Sequence, residues 1–103
     1  MKRIHVSPRA PQALILLCTP SDLLPDMTVI TSSVVMLLRP DGTVASLACS
    51  ASNKTPAALT LTHVFSVGDA EIPGVYRAYP VHSTPSGPVR GDVDSFEAVG
   101  DFD

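Results

Sequence analysis

The chain has no tryptophan, and aromatic residues fill only 5% of its 103 positions. Its core must therefore be built from aliphatic side chains. A sugar-stacking platform, which needs exposed Trp or Tyr, has only Tyr76 and Tyr79 to draw on. Charge is scarce too, at 17% of residues, and the net charge of -3 argues against a protein that grips nucleic acid by neutralising phosphates. There are two cysteines, Cys18 and Cys49. No secretory signal pattern opens the sequence, so a disulfide is not implied. Both cysteines sit in apolar strand-like segments and read as buried free thiols. Long hydrophobic runs are missing: the longest, Ala13 to Cys18, is far too short to span a bilayer. The chain reads as soluble and unprocessed, with no membrane partner. Helical periodicity is missing as well, since nowhere do apolar residues hold a 3.6-residue spacing over three turns, and there is no internal repeat.

What is present is aliphatic and β-branched. Apolar residues make up 45%, which excludes general disorder. The length fits one domain with a core of its own. Residues 1–12 (MKRIHVSPRAPQ) read as an extended arm, because Pro8 and Pro11 remove two amide donors and prevent a helix. Ile4, His5 and Val6 could add a short strand there. Segment 13–18 (ALILLC) is a first core strand, and 19–26 is a connection broken by Pro20 and Pro25. Segment 28–39 (TVITSSVVMLLR) is a long β-branched strand with an interruption near Ser32-Ser33.

Pro40-Asp41-Gly42 then makes a tight reversal. Proline sets φ at the first corner, aspartate caps locally, and Gly42 takes the positive φ that other residues resist. Segment 43–50 returns antiparallel, with Ala45, Leu47 and Cys49 on one face. Segment 51–57 (ASNKTPA) reads as a polar loop. In 59–67, Leu59, Leu61, His63, Phe65 and Val67 share a face. Residues 68–74 (GDAEIPG) break the chain again. A strand follows over 75–83, where Pro80 argues for an edge position or a bulge. A hairpin at 84–87 leads into 89–99, whose apolar phase slips between Val93 and Phe96 and so predicts a bend.

The pattern is all-β: about seven short strands with turn signals every ten to fifteen residues or so, as in an antiparallel β-sandwich. The domain runs over 13–99, with the arm 1–12 before it and a frayed tail at 100–103. Ile72-Pro73-Gly74-Val75-Tyr76 resembles the tyrosine corner of immunoglobulin-like sandwiches, where the hydroxyl bonds the backbone a few residues upstream. That gives Tyr76, Gly42 and Gly74 structural roles.

These residues carry a resemblance. Segment 27–47 (MTVITSSVVMLLRPDGTVASL), followed by 68–99 (GDAEIPGVYRAYPVHSTPSGPVRGDVDSFEAV), is similar to the small immunoglobulin-like domains of tailed bacteriophages. Such domains occur at the N-terminus of upper-baseplate proteins and in head, neck and tail accessory proteins. The resemblance covers about residues 26 to 99 and rests mainly on turn chemistry. It implies a non-enzymatic structural protein, made in the host cytoplasm and located in the virion, with other virion proteins or its own copies as partners. The N-terminal half is richer in Leu and Pro than such domains usually are. No receptor-binding region follows in this sequence, which favours a stand-alone virion protein over a baseplate role.

The catalytic inventory is thin. There is no nucleophile elbow, Walker loop, Cys-x-x-Cys or His-x-x-x-His, so no cofactor and no small-molecule substrate are expected. His5, His63 and His82 belong to different strands. An enzyme using them as metal ligands is the third choice, and His63, in an apolar row, reads as a satisfied structural histidine. Asp92 and Asp94 read as solvated charge. Arg90-Gly91-Asp92 reads as a strand in which Gly91 marks a bulge or a close backbone approach.

The informative excess is apolar. Two runs, 13–18 and 34–38, put apolar residues on both faces of a strand, so something must cover the second face. A second subunit is the expected cover. The interface then consists of Leu14, Leu16, Val35 and Leu37, or of the opposite set Ile15, Leu17, Val34, Met36 and Leu38, extended by Ile4 and Val6 of the arm. Lys2, Arg3 and Arg9 at one end, and Asp92, Asp94, Glu97, Asp101 and Asp103 at the other, would be solvated ends or complementary arms. The runner-up function is a carbohydrate or cell-surface binding module on the same sandwich.

Overall fold

Period-two alternation decides which way each strand faces. The computed structural model describes residues 2–5, 13–65 and 69–99. Among them run nine strands: β1 (Lys2–His5), β2 (Ala13–Cys18), β3 (Ser32–Leu38), β4 (Val44–Ala48), β5 (Ser50–Thr55), β6 (Ala58–Val64), β7 (Gly74–Thr84), β8 (Gly87–Arg90) and β9 (Asp94–Val99). One sheet has the order β1-β9-β7-β3-β4, with β8 also on β7, and the other has the order β2-β6-β5. The two sheets form an immunoglobulin-like β-sandwich. Leu14, Leu16, Leu59 and Leu61 of the small sheet share a core with Val35, Leu37, Leu47, Tyr76, Ala78, Phe96 and Ala98 of the large one.

The turn at 40–42 is a type I turn closed by a left-handed glycine. The Gly42 amide donates to the Arg39 carbonyl at 3.0 Å, the Arg39 amide donates to the Thr43 carbonyl at 2.9 Å, and Gly42 has φ 88°. Asp41 Oδ1 accepts from the Thr43 amide at 3.0 Å and from its hydroxyl at 2.7 Å. These bonds hold the Asp41 carboxyl below its ordinary pKa.

The tyrosine corner is present. The Tyr76 hydroxyl donates to the Ile72 carbonyl at 2.7 Å and accepts from the Ile72 amide at 3.2 Å. The ring is fully buried and stacked on Phe96, with centroids 5.1 Å apart and planes 7° from parallel. Gly74, at φ 142°, lies against the Pro40 ring. A Cβ there would sit 2.8 Å from Pro40 Cγ, so the corner and the 40–42 turn press on each other through a position only glycine can fill.

Four expectations need correction. Segment 51–57 is not a loop: 50–55 form β5, paired with β6, and only Pro56-Ala57 turn. Every β5 residue is exposed, so the strand carries no apolar alternation to betray it. The long strand at 28–39 is shorter. Met27–Val29 form a 3-10 turn capped by Asp26, which accepts from the Thr28 amide and hydroxyl, and β3 starts at Ser32. Arg90-Gly91-Asp92 does not lie in one strand, since β8 ends at Arg90 and β9 begins at Asp94. Finally, Pro80 is not on an edge, because β7 lies between β3 and the β8–β9 pair.

Hydrogen-bond parity explains why that proline is tolerated. The bonded pair Thr84 and Gly87 next to the two-residue turn makes the even-numbered residues of β7 point their backbone groups toward β8 and β9. Pro80 falls where β9 has ended and β8 has not begun, so its missing amide interrupts no ladder. Its carbonyl accepts from the Gly91 amide at 2.9 Å.

The N-terminal arm joins the sheet. β1 runs parallel to β9 with Lys2 opposite Phe96, and Arg3 Nε pairs with Glu97 Oε1 at 3.0 Å, so the basic and acidic ends meet within one chain. Val6, the rest of the arm to residue 12, Val67 and the tail 100–103 lie outside the described residues, as does the side chain of Ile4.

Replacing Tyr76 with Phe removes the corner bond and leaves the Ile72 amide without its acceptor. The expected loss is about 1 kcal/mol or somewhat more, a fall of about 4–8 °C in Tm for a domain of this size. Calorimetry showing an unchanged Tm would mean the corner contributes nothing.

Candidate functional site

The second faces of the apolar runs can now be assigned. In β2, Leu14, Leu16 and Cys18 point inward, while Ile15 and Leu17 are 51% and 69% exposed. In β3, Val35 and Leu37 are buried, and Val34, Met36 and Leu38 face outward. Of the two alternative interface sets, Leu14, Leu16, Val35 and Leu37 are therefore internal core and cannot meet another molecule. Their side chains fill the space between the sheets, which is where the first apolar face of a sandwich strand has to go. The outward set stays on the surface. It is split between the two sheets, so the structure does not bring Ile15 and Leu17 together with Val34, Met36 and Leu38.

The outer face of the small sheet has an unusual chemistry. Register places Ala13 beside Val64, Ile15 beside Thr62 and Leu17 beside Thr60, and it places Ser50 and Ser52 of β5 beyond those threonines. None of these side chains carries a charge. Ordinary solvent-facing sheet surfaces are studded with Lys and Glu. Here hydroxyls, methyls and three exposed aliphatic side chains (Ile15, Leu17 and Val64) form a flat neutral surface. The signal was legible only in part, because recognising it required β5 as a strand in register with β6.

The outer face of the large sheet is more mixed. Val34, Met36 and Leu38 lie between Val44, Ser46 and Ala48 of β4 and Val81, Tyr79 and Arg77 of β7. The Arg90 guanidinium stacks 4.1 Å over the Tyr79 ring. With Tyr76 buried and Tyr79 covered by Arg90, neither tyrosine offers a free platform of the kind carbohydrate sites use.

A groove of about 640 Å³ opens along one side of the sandwich, between the outer half of β2 and the segment from β8 to β9. It is lined by Ile15, Leu16, Leu17, Leu24, Met27, Arg90 and Asp92 together with Cys18, Pro80 and His82. His82 is 2% exposed, and its Nδ1 lies 2.7 Å from Ser33 Oγ. Burial holds its imidazole below the ordinary pKa. Burial also pushes the Cys18 thiol up to about 11, with Cys49 and then Asp92 adding to the effect, and raises the Cys49 thiol. These are inert protonated thiols, not nucleophiles. Gly91 forms part of the wall, and a Cβ there would meet Pro80 Cγ at 2.6 Å, which makes it the close backbone approach its sequence suggested.

The histidines do not converge. His63 sits on β6, with Nδ1 at 2.6 Å from the Ala48 carbonyl and Nε2 at 2.8 Å from Asp69 Oδ2. Both partners are acceptors, so the ring fastens the β4–β5 crossing to the 69–73 segment, a structural duty. His82 belongs to the other sheet, and the side chain of His5 lies outside the described residues. Among the described residues no three His, Cys, Asp or Glu side chains gather as a metal ion requires.

With this geometry in hand, comparison with known proteins adds one finding. CopC from Methylosinus trichosporium OB3b superposes with a TM-score of 0.51, covering 97% of this chain and 84% of that one at 15% sequence identity. It is a likeness of fold. No protein-family model matches the sequence, and no curated protein matches it.

Two outcomes follow from the groove. His82 has a folded pKa below its unfolded value, so the unfolded chain takes up the proton first as pH falls. Stability should therefore be complete above the unfolded value near 6.5 and decline below it. Denaturant titrations of His82→Gln, which keeps a hydrogen-bonding group near Ser33, should show a flatter decline over that range; an identical slope would remove His82 as its source. The buried Cys18 thiol should resist alkylation in the folded protein near neutral pH and react freely in denaturant. Fast labelling of Cys18 in the native chain would contradict its burial.

Proposed function

We propose that the chain is a non-enzymatic structural protein that works through protein–protein assembly contacts, as a component of a tailed-phage virion. The observation that carries the assembly reading is the neutral outer face of the small sheet, with Ile15 and Leu17 standing on it. Leaving such side chains in water forgoes about 1.5–3 kcal/mol apiece relative to burial, a large sum for a small domain whose core is already complete without them. Another subunit that covers them recovers that free energy without any change in the fold. The virion assignment rests on the similarity of residues 26–99 to immunoglobulin-like phage domains, and the likeness to CopC supports the sandwich alone. The groove offers catalysis no support, since burial keeps its Cys18 thiol protonated and its His82 ring is bonded to Ser33.

The test replaces both side chains at once, Ile15→Lys with Leu17→Lys. These positions face solvent in the single chain, so Tm should move little. Light scattering across a range of concentrations should show the mass of the unaltered protein rising while that of the double variant lags behind. Identical masses at every concentration would remove self-assembly through this face.

A further inference from the structure

We infer that β4 is a self-pairing edge, through which two copies join their large sheets into one continuous sheet about a two-fold axis near Ser46. Sheet edges are ready templates for pairing, and proteins normally guard them with charges, prolines, bulges or cover. Among the described residues, three of the other edges of this sandwich are guarded. β1 carries Lys2 and Arg3, and β8 has four residues including Pro88 and Arg90. β5 is interrupted in register after Ser52, where Asn53 is left-handed and Lys54 follows. β2 has no charge, proline or register break, but it opens into the groove lined by Arg90 and Asp92 and not onto a free sheet edge continuous with an outward aliphatic stripe. β4, Val44-Ala45-Ser46-Leu47-Ala48, has no charge, no proline and no break in its five-pair register with β3.

Parity says which backbone groups are available. Because Arg39 and Thr43 form the bonded pair beside the turn, Ala45 and Leu47 spend their amides and carbonyls on Leu37 and Val35. Val44, Ser46 and Ala48 therefore aim theirs away from β3, along an edge that no strand among the described residues covers. The Ala48 carbonyl accepts from His63 Nδ1 and has a second lone pair to offer. An antiparallel strand pairs with itself without mismatch. With Ser46 opposite Ser46, Val44 falls opposite Ala48 on both sides, so three bonded pairs form and no like charges meet. The same pairing places outward Val44 beside Ala48 of the other copy and puts the Val34 and Met36 stripes of the two β3 strands on one continuous sheet face, with the two β4 strands between them. A single edge contact lies below the size of permanent interfaces, so the dimer should be reversible and concentration-dependent. It uses a different surface from the face carrying Ile15 and Leu17 and does not depend on that face.

Hydrogen exchange on the full chain, at low and high protein concentration, tests this directly. Ala45 and Leu47 amides should be protected at both concentrations, and Val44 and Ser46 amides should gain protection only when concentrated. Ser46→Pro deletes an amide that β3 does not use, and Ser46→Lys places a charge at the axis. Each should weaken dimerisation at least tenfold by light scattering, while Ile15→Lys with Leu17→Lys should leave the edge dimer in place. Should Ser46→Pro disturb the fold, Ser46→Lys decides alone. Absence of any dimer in concentrated solution, or a dimer that survives Ser46→Lys with Val44 and Ser46 still exchanging freely, overturns the edge proposal. Loss of association in the Ile15 and Leu17 variant alone would instead favour the small-sheet face.

Discussion

The buried ring of Tyr76 is the contact on which the sandwich depends. It lies on β7, the strand that pairs with β3 on one side and with both β8 and β9 on the other. Its face stacks on Phe96 of β9, and Phe96 in turn meets Phe65 at the end of β6, so one short run of rings crosses from the large sheet toward the small one. Its hydroxyl closes the 72–76 corner, and Gly74 beside it seats Pro40 of the β3–β4 turn. In a chain without tryptophan, this small aromatic cluster supplies the rigid shape that aliphatic side chains alone leave loosely specified.

Around that cluster the core is aliphatic and thin, and this bears on the surface. A sandwich of this length can bury one face of each strand and no more. β2 and β3 are apolar on both faces, so their second faces remain outside. The small sheet then shows a neutral plane of hydroxyls and methyls, and the large sheet an aliphatic stripe leading to an unguarded edge. Both features lie on the outside of the sandwich; Ile15 and Leu17 of the first also border the groove with His82 and Cys18, whereas the β3–β4 stripe does not. The groove holds its polar groups still: a histidine bonded to serine, the Cys18 thiol kept protonated by burial, and a glycine wedged against proline.

Much of the fold was legible in the residues. Pro40-Asp41-Gly42 announced its turn because only certain residues tolerate those backbone angles, and Ile72 to Tyr76 announced the corner because the spacing is local. What misled was non-local. β5 looked like a loop because its residues face water on both sides and only pairing with β6 makes them a strand. Pro80 looked like an edge marker because its acceptability depends on a gap between two other strands. The site was legible as a choice of two alternating sets, since period two separates Ile15 and Leu17 from Leu14 and Leu16 without saying which is outside.

By itself the sequence determined the all-β class, the aliphatic core, the turns and the excess of apolar residues over what one core can hold. These follow from backbone sterics and side-chain hydrophobicity, which act over a few residues. Only the tertiary structure decided which face of β2 and β3 meets solvent, that the basic start of the chain joins the acidic end through β1 and β9, and that β4 ends the large sheet with its alternate amides pointing outward. Those are matters of strand order and hydrogen-bond parity, set by partners dozens of residues away, and no local pattern encodes them.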